Sequence, residues 1–268
     1  MPLRERPIVP NFFGRGERQL FGIYHPPETA TIRDAGVVLC HPAPQDYSQT
    51  YWALHKLATM LATAGFHVLR FDYSGTGDSA GDSADVTLAE WTGDIATAVE
   101  ELRDLSGVRR ISLVGMRLGA ALALRAARDV QVRDLVLWEP VVSGTEYLDS
   151  LDAVERRRLR LLSFPVPDDR EPNELMGYAF PASLRAETSA VDLCLESMCP
   201  VASVLLIAAR WTPPFDELGR RLARDGIESA SMLVEDPVLY EGGGHPGDVL
   251  LSHNIPARIT AFLTRRNA

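Results

Sequence analysis

Five consecutive residues, Gly115-Met116-Arg117-Leu118-Gly119, carry the strongest chemical signal in the chain. The run Arg110 to Val114 reads as a strand entering them and the alanine-rich stretch Ala120 to Ala127 as a helix leaving them, so the backbone must turn sharply and lift the central side chain above the sheet edge. Glycines suit both flanks, because a side chain at either place would strike the neighbouring strand or helix. The lifted residue is Arg117, whose guanidinium stays protonated at ordinary pH and offers donors only, so it cannot attack a carbonyl. Its natural chemistry is anion binding. A cation in the first turn of a helix opposes the helix dipole at a cost of about 0.3–1 kcal/mol, yet with the free N–H groups there it makes a site for a carboxylate, a phosphate or a developing oxyanion. The same charge could instead pair with Asp72, Glu139 or Asp216 and plug the cleft. Met116 and Leu118, on either side, are expected among the substrate contacts.

Other residues compete for a chemical role. Cys40 and Ser79 are the alternative nucleophiles, although Cys40 ends an all-apolar run that reads as core and Ser79 belongs to the turn Ser74-Gly75-Thr76-Gly77-Asp78. That turn lacks the third glycine and immediate helix of a dinucleotide site, and no cofactor is expected. His41, at a strand end, could orient a reacting group or a water. Trp138, Trp211, Tyr47 and Phe215 fall near strand ends or cleft loops, where aromatics line an acyl pocket as readily as they fill a core. Arg156-Arg157-Arg158 with Arg160 suits either an acidic carrier protein or a solvated helix face.

The elements that must position these residues alternate between short aliphatic runs and helix-length amphipathic stretches. Strands are expected over 19–24, 36–40, 66–71, 110–114, 135–138, 204–208 and 230–234, and helices over 51–64, 87–105, 120–127, 216–225 and 256–265. Thr87 and Glu90 have capping-box spacing at the start of the second helix. This is the pattern of an α/β protein with a mostly parallel sheet and helices on both faces. It breaks over 141–200, where an arginine-rich helix around 151–162 and a proline-bearing loop read as an inserted cap between two parts of one core, 1–140 and 201–268.

With 268 residues, 46% of them hydrophobic, the chain holds enough apolar material for that core. Lys and Arg number 27 against 36 Asp and Glu, a formal charge of −9 with no basic stripe, so nucleic acid is excluded as an expected partner. No run of about eighteen apolar residues occurs, and the first residues lack a signal-peptide stretch; the expectation is a cytoplasmic protein without a membrane span. Cys40, Cys194 and Cys199 make an odd set without metal-site spacing, which points to reduced thiols and no metal.

The sequence resembles the α/β-hydrolase superfamily, and within it the serine aminopeptidase-like or exosortase-associated hydrolases. The likeness spans Leu20-Phe21-Gly22-Ile23-Tyr24-His25-Pro26-Pro27, then His41-Pro42, the turn Phe71-Asp72-Tyr73-Ser74-Gly75-Thr76-Gly77-Asp78-Ser79, the strand-to-helix turn around Arg117, and a histidine in the last loop. It implies a twisted sheet with its cleft at the carboxyl edge, under the cap. It also implies a serine where Arg117 stands, which removes the superfamily's acyl-enzyme route at that position. On the same resemblance the base is His245, with His253 as the competitor, and the acid is Asp216, with Glu139 as the alternate. The expected activity is hydrolysis or transfer of an acyl ester or thioester, free or on an acyl carrier protein. Arg117 would grip the charge and His245, supported by Asp216, would act on water. The other expectation is a pseudo-hydrolase that keeps the cleft for binding alone.

Overall fold

The computed structural model describes residues 8–16, 18–160, 173–197, 200–237 and 252–267. Among the described residues eight strands form one sheet: β1 (Val9–Arg15), β2 (Arg18–His25), β3 (Gly36–Cys40), β4 (His67–Phe71), β5 (Ile111–Met116), β6 (Asp134–Trp138), β9 (Ser203–Ala208) and β10 (Ser229–Leu233). Their order is β1-β2-β4-β3-β5-β6-β9-β10, antiparallel at the β1 and β2 edge and parallel from β4 onward. The central strands β3, β5, β6 and β9 are buried along their whole length, as near-continuous aliphatic runs require when both faces are covered.

Alternation along each strand sorts the core into two layers. Val37 and Leu39 face the helices α1 (Pro44–Thr63) and α7 (Asn254–Arg266). Val38 and Cys40 face α2 (Leu88–Ser106), α3 (Leu118–Ala126) and α6 (Pro213–Arg224). The capping box forms at α2, where Thr87 Oγ1 accepts the Glu90 N–H at 3.1 Å and Glu90 Oε2 accepts the Thr87 N–H at 3.1 Å. Between β6 and β9 the chain forms α4 (Gly144–Arg160), the small hairpin β7 (Glu174–Leu175) and β8 (Tyr178–Ala179), and α5 (Ala182–Ser189).

Three of the differences from the sequence expectation matter most. β1 is an additional edge strand, exposed apart from buried Phe13 and half-buried Asn11, so no inward-outward pattern marks it. α1 begins at Pro44 and not at 51, and α4 begins at Gly144 and not at 151. The extra turns of α1 are polar, although proline in its first turn is itself a helix-start signal, and those of α4 add only Tyr147 and Leu148, too short an apolar stripe to mark the start. Both bear on the site.

Candidate active-site cavity at the strand-to-helix turn

The passage from β5 into α3 is made at a single residue. Arg117 has φ 56° and ψ −123°, a conformation that costs a side-chain-bearing residue about 1–3 kcal/mol and persists only when its surroundings impose it. Here the Arg117 N–H donates to the Trp138 carbonyl at 2.9 Å, and the Arg117 carbonyl accepts from Ala120 N at 3.1 Å and Val141 N at 3.2 Å. Gly115 is required beneath the turn, since a Cβ there would stand 2.4 Å from the Gly119 carbonyl oxygen and 2.5 Å from Ala120 Cα.

The side chain of Arg117 reaches Asp46 in the first turn of α1, with Nε 3.4 Å from Oδ2. Asp46 is fully buried, and the Tyr147 hydroxyl of α4 donates to the same Oδ2 at 2.9 Å. The guanidinium carbon also lies 5.4 Å from the Tyr147 ring centroid, within cation–π range. A buried carboxylate needs partners of this kind, because desolvating it alone costs several kcal/mol. Asp46, an acid that meets Arg117, is one the sequence reading does not name. Of the acids it does name, Asp72 accepts from the Tyr47 hydroxyl and the Asp78 N–H, both at 3.1 Å, and Asp216 lies 3.4 Å from Arg220.

Arg117 forms part of the floor of a cavity of about 360 Å³ between the carboxyl ends of β5, β6 and β9, the start of α6 and the first half of α4. Met116, Trp138 and Glu139 line it from the strand ends, Tyr147 and Glu146 from α4, and Arg210 from the loop after β9. The lining thus carries two cations, Arg117 and Arg210, and two carboxylates, Glu139 and Glu146, among apolar side chains. Glu139 is itself held at positive φ, 48°, with Oε1 accepting the Ala209 N–H at 2.5 Å. The arrangement can bind a small molecule with an anionic or strongly polarised oxygen near Arg117.

The remaining expected site residues fall elsewhere. Leu118 is buried in the core beneath the turn and does not line the cavity. His41 is buried between the rings of Tyr47 and Tyr73, with centroids 4.5 and 4.3 Å away. Its Nδ1 bonds the Pro42 carbonyl at 2.7 Å and its Nε2 accepts the Tyr73 N–H at 3.4 Å, so both nitrogens hold backbone; burial lowers its pKa and keeps the ring neutral. Cys40 is buried in the core and burial pushes its thiol pKa far up, which removes it as a nucleophile. Ser79 donates to the Asp72 carbonyl at 2.6 Å and accepts the Phe21 N–H at 2.9 Å, tying the glycine-rich turn to β2.

Trp211 is exposed against Phe215, with ring centroids 5.0 Å apart, and lies outside the cavity lining. His253 precedes α7 on the surface and bonds Lys56, away from Arg117. Asp216 sits on the outer side of α6 with its side chain 43% exposed, and the N-cap there is Thr212. His245 lies outside the described residues, as does Cys199. Among the described residues no imidazole lines the cavity, and no three of His, Cys, Asp and Glu cluster to hold a metal ion. No described helix is long and apolar enough to cross a membrane. The residues that sequence reasoning missed, Asp46 and Tyr147, occupy the helix turns placed too late.

Comparison with known proteins agrees with this architecture. The chain is 41% identical over 63 residues to the mitochondrial palmitoyl-protein thioesterase ABHD10 of Homo sapiens, 24% of this chain and 19% of that protein. It is 32% identical over 114 residues to an acyl transferase of Aliivibrio fischeri, 42% of this chain and 36% of that protein. The chain thus spans about a fifth to a third of the length of these curated relatives. The esterase PF2001 of Pyrococcus furiosus superposes with a TM-score of 0.64 at 18% identity, over 97% of this chain and 90% of that one, a likeness of fold. The family model described as serine aminopeptidase, S33 matches residues 33–186, more than half of the sequence. The chain is a member of the serine aminopeptidase S33 family, with the α/β-hydrolase fold.

Proposed function

We propose that the protein acts on an acyl ester or thioester bound in this cavity, by direct attack and without an acyl-enzyme. The observation that carries the reading is the fixed guanidinium of Arg117 at the strand-to-helix turn, where the fold presents its reacting group. In the proposed reaction water attacks the carbonyl carbon, Arg117 holds the oxygen as it becomes negative, and His245 takes the proton from water. The C–O or C–S bond then breaks, the alcohol or thiol leaves with a proton and the acid remains; with an acceptor in place of water the same steps transfer the acyl group. Glu139, which lines the cavity, replaces Asp216 as the supporting acid. The segment 141–200 serves as the cap, and the exposed Arg156, Arg157 and Arg160 at the end of α4 suit an acidic carrier protein delivering the acyl group.

The second reading is a binding protein without chemistry. It is favoured by the outward position of Asp216, whose side chain is 43% exposed and paired with Arg220. Turnover of p-nitrophenyl esters and acyl thioesters by wild type, Arg117→Ser and His245→Ala separates the two. A loss of about 10²-fold or more on His245→Ala and on Arg117→Ser supports the enzyme, in the range for deleting a general base or an oxyanion donor. Background rates in wild type and His245→Ala alike, with activity gained only in Arg117→Ser, support the binder.

A further inference from the structure

Tyr147 ties two parts of the chain together through one oxygen atom. It belongs to the first turns of α4, within the segment between β6 and β9, whereas Asp46 belongs to the first turn of α1 in the core. Asp46 Oδ2 accepts from the Tyr147 hydroxyl at 2.9 Å and lies 3.4 Å from Arg117 Nε, while the Tyr147 ring packs on the guanidinium it helps to place. The root of α4 is fixed separately. The Gly144 N–H donates to the Val191 carbonyl at 2.8 Å, the Leu193 N–H donates to the Val142 carbonyl at 2.9 Å, and Glu196 holds Arg125 of α3 and Arg128 just beyond its end. With those anchors made elsewhere, the Tyr147 to Asp46 bond is a tie between the body of α4 and the floor of the cavity.

We infer that Asp46 and Tyr147 are positioning residues that aim the Arg117 guanidinium and lock that aim to the docking of α4. This rests on the proposed function only in taking Arg117 as the group that meets substrate. A carboxylate shared by two donors cannot lose one without altering its hold on the other, so release of the Tyr147 hydroxyl loosens Arg117, and removal of the guanidinium loosens α4. The cation and the wall above it then behave as one unit: the guanidinium is aimed when α4 is down.

The test reads the side chain itself and needs no substrate. The purified full chain is treated with phenylglyoxal, an arginine-selective dicarbonyl, and modification is followed residue by residue by peptide mass spectrometry, with exposed Arg220 as the internal control. Relative to wild type, Tyr147→Phe keeps the ring and loses the hydroxyl, and Arg117 modification rises at least threefold; Asp46→Asn raises it about tenfold or more, as expected for a neutral and a charge-assisted bond respectively. Arg220 stays within twofold in both. Amide hydrogen exchange over residues 145–150 quickens at least threefold in Arg117→Leu. Unchanged Arg117 modification in natively melting Tyr147→Phe overturns the aiming role, even if Asp46→Asn does not fold, and unchanged exchange over 145–150 in Arg117→Leu overturns the tie to α4. A wild type that turns over no ester would defeat the proposed function and leave these readouts standing.

Discussion

Gly119 packs its Cα against the main chain of His41 so closely that a Cβ there would stand 2.2 Å from the His41 carbonyl oxygen and 2.4 Å from that of Cys40. Both atoms are backbone at the end of β3, so no side chain can swing aside. Gly119→Ala should therefore cost about 3 kcal/mol or more, at the severe end of overpacking. Gly93 lies in the interior of α2 with nothing within 4 Å of its would-be Cβ, so Gly93→Ala should gain up to about 1 kcal/mol. Urea unfolding of the two variants checks the contrast. Equal midpoints would refute the close approach.

Acid should weaken the fold through a second cluster, away from the cavity. Arg70 Nε donates to His25 Nε2 at 3.2 Å and Arg70 Nη2 lies 3.4 Å from His55 Nδ1, so both imidazoles must be neutral to face the guanidinium. Burial first, then Arg70, then His55 lowers the His25 pKa from 6.5 to about 4; burial and Arg70 lower that of His55. Folded-state values below the unfolded value mean that the unfolded chain takes up protons first. Stability is then full above about pH 6.5 and falls as the pH drops toward 4, with His25 accounting for up to about 3 kcal/mol. Urea midpoints measured from pH 7 to 4.5 should decline, and His25→Gln, whose amide oxygen can still accept from Arg70, should flatten the decline. A flat profile in wild type would contradict this.

The two acids separate by position. Asp216→Ala removes an exposed carboxylate paired along one helix with Arg220, a change within about 0.5 kcal/mol of stability, and should leave turnover within twofold. Glu139→Gln alters the cavity wall and should lower turnover about tenfold or more. Steady-state kinetics on esters decides the matter; a collapse of activity in Asp216→Ala with Glu139→Gln near normal would reverse the assignment.

Much of the architecture is legible in the amino-acid sequence, because buried parallel strands such as Val37-Val38-Leu39 and capped helices such as the one at Thr87 announce themselves through apolar runs and capping pairs. The turn at Arg117 is equally plain from its two glycines. Its electrostatic partners are not. Asp46 lies in Pro44-Gln45-Asp46-Tyr47 and Tyr147 in Gly144-Thr145-Glu146-Tyr147, helix starts whose polar composition shows no amphipathic stripe; periodicity detects the later turns and places both helices to begin at 51 and 151. A part-buried ion pair 71 positions apart leaves no local trace either. Asp216 is ambiguous in the sequence for a related reason, since a carboxylate in the first turn of a helix is common whether or not it faces a cleft.

The central claim is that a fixed cation, and no nucleophile, meets the substrate at this turn. It is tested most directly by the intact mass of the wild-type protein, taken after exposure to a fluorophosphonate and after acid quench during incubation with p-nitrophenyl esters. The account predicts an unchanged mass in both samples. A gain equal to one phosphonyl or one acyl group, on any residue, would contradict it.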